Sequence, residues 1–196
     1  MSAKRHDLLH RVVHYLETHG IADLSLSPLA ADLGTSKRML LYYFGSRENL
    51  LAEAIAISRP DIADLFGDVH DAAGLRTAAH RLWRTITTGR QQGPIRILFQ
   101  VLSLAPTQPD RYAAPAAEAV TVMIDPLTAV YRRLGCDDRD AQARASLLIS
   151  GLRGLCQDRL VTGDTDRTDA AAEALIDSAT ALPDPLAPTA AGGAGR

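Results

Sequence analysis

The chain has 196 residues, 46% of them hydrophobic and 22% charged, with 21 Lys+Arg against 23 Asp+Glu and a formal net charge of −2. That length suits one domain or two small ones, and folding removes about two-thirds of the unfolded surface from water. The near-neutral balance excludes a globally basic nucleic-acid binder, and the two cysteines, Cys136 and Cys156, lack the spacing of a disulfide scaffold or a cysteine-rich zinc site.

Met1 to His6 leads straight into a patterned helix rather than a secretory leader, and no apolar run approaches the roughly 18 residues of a bilayer span. A cytoplasmic protein with no membrane partner is expected. Leu8, Leu9, Val12, Val13 and Leu16 recur at the helical period, and Gly20 marks a stop. His6, His10 and His14 share a face of this helix at a metal-compatible spacing. No carboxylate completes a site there; the preferred reading is a polar face, and neither metal nor cofactor is expected. Ser25 caps a second helix through Leu33, with Leu24 stapled on Leu29 and Pro28 in its first turn. Thr35 or Ser36 caps a third, through Leu40 and Leu41. Gly45-Ser46 restarts a fourth, which ends before Pro60.

Beyond Pro60, Leu75, Ala78, Ala79, Leu82, Trp83 and Ile86 form one stripe, and Gly93-Pro94 interrupts the pattern. Ile95–Leu104 is a shorter apolar piece. A stripe from Val120 to Leu134 contains Pro126 as an expected kink. A long helix through Ala145, Leu148, Leu152 and Leu160 follows, then a last one with Ala172, Leu175, Ile176 and Ala179. From Pro183 the tail is mostly Pro, Ala and Gly and is expected to be disordered. With no strand-like alternation and no repeat, the class is all-α.

Residues 25–44 carry the chemistry. Two short helices joined by Gly34-Thr35 make a helix-turn-helix, in which the first helix braces and the second presents its N-terminal residues to a major groove. Leu29, Leu33 and Leu40 supply the seam, and Ala30 permits a close crossing. Ser36, Lys37, Arg38 and Met39 then point outward. Arg38 suits a bidentate contact to guanine, Lys37 a base or phosphate, and Met39 a thymine methyl. Ser25, Ser27, Thr35, Tyr42 and Tyr43 add hydroxyls for phosphates. Charge supports this only weakly: residues 1–50 net +1 and the remainder −3.

The run from Ser25-Leu26-Ser27-Pro28-Leu29-Ala30-Ala31 through Gly34-Thr35-Ser36 and Leu41-Tyr42-Tyr43-Phe44 to Ser46-Arg47-Glu48 resembles the N-terminal domain of the tetracycline-repressor (TetR) family. The match covers about the first 55 residues, in order and without gaps. Leu41 stands where members usually carry a DNA-contacting Tyr, and Thr35 where Val is common.

The resemblance implies a helix-turn-helix domain over 1–58 and a helical ligand-binding and dimerisation domain over 59–182, with 183–196 as tail. It implies a homodimeric regulator, most often a repressor, released from a palindromic double-stranded DNA operator by a small-molecule effector. Family dimers pair their last two helices into a four-helix bundle, which carries over here to 138–162 and 166–181, with Leu148, Gly151, Leu152, Leu155, Leu175, Ile176 and Ala179 as interface. Gly151, Gly154 and Ala145 independently give the longer helix a narrow side, fit equally for a crossing within one chain. Trp83, Phe99, Tyr112, Met123 and Tyr131 either line a ligand cavity or fill the core, with His80 and Gln100 as polar handles. The rival reading is a helical carrier or enzyme without DNA binding. No Gly-rich phosphate loop, HExxH, nucleophile elbow or Glu-xx-His pairing supports it.

Overall fold

Caps and apolar stripes divide the chain into helices, and among the described residues no strand interrupts them. The computed structural model describes residues 3–21, 24–88 and 92–182, without the side chains of Ser58 and Gln92. The tail expected to be disordered, 183–196, lies outside those residues. In chain order the helices are α1 (Ala3–His19), α2 (Leu26–Asp32), α3 (Lys37–Phe44), α4 (Arg47–Ser58), α5 (Ile62–Phe66), α6 (Ala72–Thr87), α7 (Gln92–Leu104), α8 (Pro109–Arg133), α9 (Asp138–Thr162) and α10 (Thr165–Thr180).

Most starts are fixed by a side chain that accepts an otherwise orphaned backbone N–H, each such cap being worth about 1 kcal/mol. Ser36 accepts from Met39, Ser46 from Asn49, Asp71 from Gly74, Asp137 from Asp140 and Asp164 from Arg167. The α9 bounds coincide with those expected, and α10 begins one residue early. Two elements differ from expectation. The short α5 carries too few residues for a periodic signal, and is started by Asp61 accepting from Asp64. Gly93-Pro94 falls in the first turn of α7, and Pro109 at the start of α8, positions where proline's missing N–H costs nothing. Both prolines therefore stand at helix starts, just after the interruptions between α6 and α7 and between α7 and α8. α8 also runs on through Pro115 and Pro126.

Two apolar clusters organise the packing. One joins α5, α6, α9, α10 and the later part of α8, with Leu75, Leu82, Tyr131, Leu148, Leu152 and Ile176 essentially inaccessible. The other collects α1 to α4, and is closed by Ile97 and Val101 of α7 and Tyr112, Ala116 and Ala119 of α8. The N-terminal helices thus share a core with the rest of the chain. By length and composition α8 is apolar enough to cross a bilayer; here it packs between α4, α5, α7 and α9.

Candidate nucleic-acid interface

The turn between α2 and α3 is closed by backbone bonds from Gly34 N–H to Ala31 C=O (3.1 Å) and Thr35 N–H to Ala30 C=O (2.9 Å). Gly34 sits at φ +60°, a conformation that suits glycine best. Leu29, Ala30, Leu33 and Leu40 are buried between the helices as the seam requires, and Leu24 joins Leu29 in the same cluster. Ser36, rather than Thr35, is the cap of α3: its Oγ accepts from Met39 N–H at 3.2 Å.

That seam turns the other face of α3 to solvent. Ser36, Lys37, Arg38 and Met39 are all exposed, as are Ser25 and Ser27 at the start of α2; Thr35 is half-buried. Ser25 has the extended backbone of a cap, yet its side chain makes no cap bond. Tyr42 is 77% exposed, whereas the Tyr43 ring packs against the N-terminal core. Leu41 is itself 37% exposed on this face.

Several basic residues of the N-terminal segment brace rather than display. Arg5 donates from Nε to Tyr43 C=O (3.0 Å), pairs through Nη2 with Glu53 (2.6 Å), and lies over the Phe44 ring. It ties α1 to both α3 and α4. Arg11 donates to Leu33 C=O, securing the end of α2. Arg47 donates from Nε to Leu24 C=O (2.9 Å) and from Nη2 to Tyr112 Oη (2.8 Å), and Tyr112 in turn donates to Ile21 C=O (3.3 Å). Gln100 Oε1 accepts from Ile21 N–H at 2.8 Å. These last contacts join the helix-turn-helix to α7 and α8. Composition alone does not separate such bracing arginines from displayed ones, so the sequence reading missed them.

A second feature lies behind the interface. Ile55 of α4, Leu82 of α6, Ile95 of α7, Met123 of α8 and Ile149 of α9 converge on an apolar cavity of about 650 Å³, counting its open mouth. Arg59, which follows α4, and Arg153 of α9 are the charged groups in its wall. Among the five residues expected to line a cavity, Met123 does so. The other four fill core: Trp83 donates its indole N–H to Asp169 (2.7 Å), Tyr131 its hydroxyl to Ala179 C=O (3.0 Å), Tyr112 is held as above, and Phe99 packs with the C-terminal cluster. His80 faces Glu173 at 3.4 Å, and Gln100 faces Ile21, so neither supplies a polar handle.

Of the expected interface residues, Leu148, Leu152, Ile176 and Ala179 are buried in this chain's own core. Those four side chains are covered within the chain itself. Leu155, Leu175 and Gly151 are half-buried, and a Cβ on Gly151 would collide with Leu175 Cδ2, so Gly151 serves the α9–α10 crossing within the chain. Gly154 faces open space, and Leu147 beside it on α9 is 48% exposed.

The His6 and His10 rings approach to 3.0 Å between Nε2 atoms, and among the described residues no three His, Cys, Asp or Glu gather as a metal site. Both cysteines are buried thiols; burial pushes Cys156 up to about 11.

Residues 9–54 match the family model described as bacterial regulatory proteins, tetR family. Solved structures extend the likeness to the whole fold. A TetR transcriptional regulator from Legionella pneumophila superposes with a TM-score of 0.71 at 16% identity, covering 91% of this chain and 97% of that one. Salmonella enterica GusR gives 0.70 at 17%, covering 91% and 94%. The multidrug binding protein EbrR, solved with imidazole, gives 0.64 at 19%, covering 94% and 93%. A comparison with curated proteins finds no match.

Proposed function

We propose that the chain, whose residues 9–54 match the tetR family model and whose fold is that of solved TetR regulators, acts as a transcriptional repressor, binding a palindromic operator as a homodimer and leaving it when a small molecule fills the cavity. One observation carries this reading. α4 serves both functions: Ile55 near its end and Arg59 just after it line the cavity, while its cap Ser46 adjoins α3 and Arg47 at its start grips Leu24 before α2. A ligand that moves the end of α4 therefore moves the reading head with it.

Residues 1–58 form the DNA-reading unit and 59–182 the effector and dimer unit. Arg38 reads a guanine edge, Met39 a thymine methyl, and Lys37 a base or phosphate. Ser25, Ser27, Thr35, Ser36, Tyr42 and Tyr43 hold phosphates. The dimer forms through the outward side of α9 around Leu147 and Gly154, together with the half-buried Leu155 and Leu175. Two-fold symmetry then demands half-sites about one helical turn, or a multiple, apart. Ligand coupling of about 1–3 kcal/mol lowers DNA affinity roughly 5- to 150-fold.

Selection of bound duplexes from a random pool tests the reading. Enriched sequences with two-fold symmetry, each duplex carrying an even number of chains, are expected. Enrichment of asymmetric sites held by single chains contradicts it.

A further inference from the structure

Burying part of a guanidinium away from water is costly unless a counter-charge accompanies it. This chain follows that rule closely. Among the described residues the half-buried arginines are Arg5, Arg47, Arg59, Arg144, Arg153 and Arg159. Arg5 has Glu53 at 2.6 Å, Arg47 has Glu48 at 3.6 Å, Arg144 has Asp140 at 2.7 Å and Arg159 has Asp169 at 2.5 Å. Arg59 and Arg153 have no carboxylate partner among the described residues, and these are the two in the cavity wall. The polar contact of Arg153 is a bond from Nη2 to Ser150 Oγ at 3.0 Å. Asp61, two residues beyond Arg59, is committed elsewhere: its carboxylate accepts from Asp64 N–H at 3.1 Å.

Resting on the effector reading above, we infer that the effector is an amphipathic monoanion: an aliphatic or aromatic body ending in a carboxylate, whose charge is held by Arg59 and Arg153. The apolar body fits the remainder of the wall, where Ile55, Leu82, Ile95, Met123 and Ile149 offer no hydrogen-bonding side chain. The planar fork of a guanidinium matches a carboxylate in shape as well as charge. Loss of solvation depresses the Arg153 guanidinium below the ordinary arginine range, as expected for a cation awaiting its counter-ion. Two cations in the wall also repel cationic drugs, so the site selects against them as well as for anions. Because Arg59 directly follows α4, drawing its side chain toward an anion gives the ligand a hold on the DNA-reading unit.

The test is calorimetric titration of the full chain with decanoate, decanamide and decyltrimethylammonium, and with 2-naphthoate and its amide. At least one carboxylate is expected to bind about tenfold or more tightly than its amide, at one molecule per chain, with the ammonium weakest. Arg59→Gln and Arg153→Gln each reduce carboxylate affinity about tenfold and leave amide affinity unchanged, the latter showing that fold and cavity survive. Amide or ammonium binding as tight as the carboxylate, or glutamine variants that bind the carboxylate like the parent, overturns the charge assignment while the cavity stands as an effector site. Failure of every compound to bind overturns the assignment and the cavity reading together. Carboxylate binding that leaves DNA affinity unchanged keeps the assignment and overturns release by ligand.

Discussion

At the scale of single residues, the chain separates arginines that brace from basic side chains left exposed. Arg5, Arg11 and Arg47 spend their donors on Tyr43, Leu33, Leu24 and Tyr112, whereas Lys37 and Arg38 stand exposed on α3. Arg38→Ala should therefore cost about 1–3 kcal/mol in operator binding and relax preference at one base pair, with thermal stability unchanged; competition binding against single-base operator variants measures it. Trp83, the single tryptophan, provides a second readout. Its N–H donates to Asp169, whose carboxyl the bonded Arg159 holds below the usual carboxylate range. A depressed folded-state pKa contributes stability that is present above the unfolded value near 3.8 and lost as pH falls through the lower folded one. Trp83 emission should accordingly remain native as pH drops to the ordinary carboxylate range and change below it, and Asp169→Asn should abolish that pH dependence.

At the scale of elements, the helix-turn-helix was legible because its signals are local: a cap at Ser36, a positive-φ glycine at Gly34 and an i, i+3, i+4 seam lie within a few residues of one another. α9 and α10 were legible for the same reason, since Asp137 and Asp164 start them and Gly163 ends α9. What escaped depends on distant partners. Periodicity identifies Leu148 and Ile176 as facing something, but the same apolar stripe serves the chain's own core or a second copy, and here it serves the core. The aromatic residues look alike in sequence whether they fill or line; Tyr112 fills, because Arg47 donates to its hydroxyl and Ile21 C=O accepts from it. Arg59 and Arg153 are 94 positions apart by number, so only the fold brings them to one wall. The Tyr112 joint gives a prediction at this scale. Tyr112→Phe leaves the ring in place but deprives Arg47 Nη2 of its acceptor and Ile21 C=O of its donor. Urea unfolding should show a loss of about 1–3 kcal/mol with an unchanged slope.

At the scale of the molecule, the N-terminal helices share a core with α7 and α8, so packed side chains rather than a flexible linker join them to the rest of the chain. In the proposed dimer the outward side of α9 meets a second copy. Leu147→Arg should then convert the dimer to monomers at micromolar concentration by sedimentation, with helicity retained, and should weaken operator binding because one half-site is lost per complex. The central claim is that α3 presents Lys37 and Arg38 to duplex DNA. Its most direct test is a titration of a selected operator duplex at salt from 50 to 200 mM with the parent chain and Lys37→Ala. A linear fall of log affinity with log salt is expected, and for Lys37→Ala weaker binding, with a slope shallower by about one if Lys37 meets a phosphate. Affinity indifferent to salt, or a Lys37→Ala chain that binds as tightly as the parent with the same slope, would contradict it.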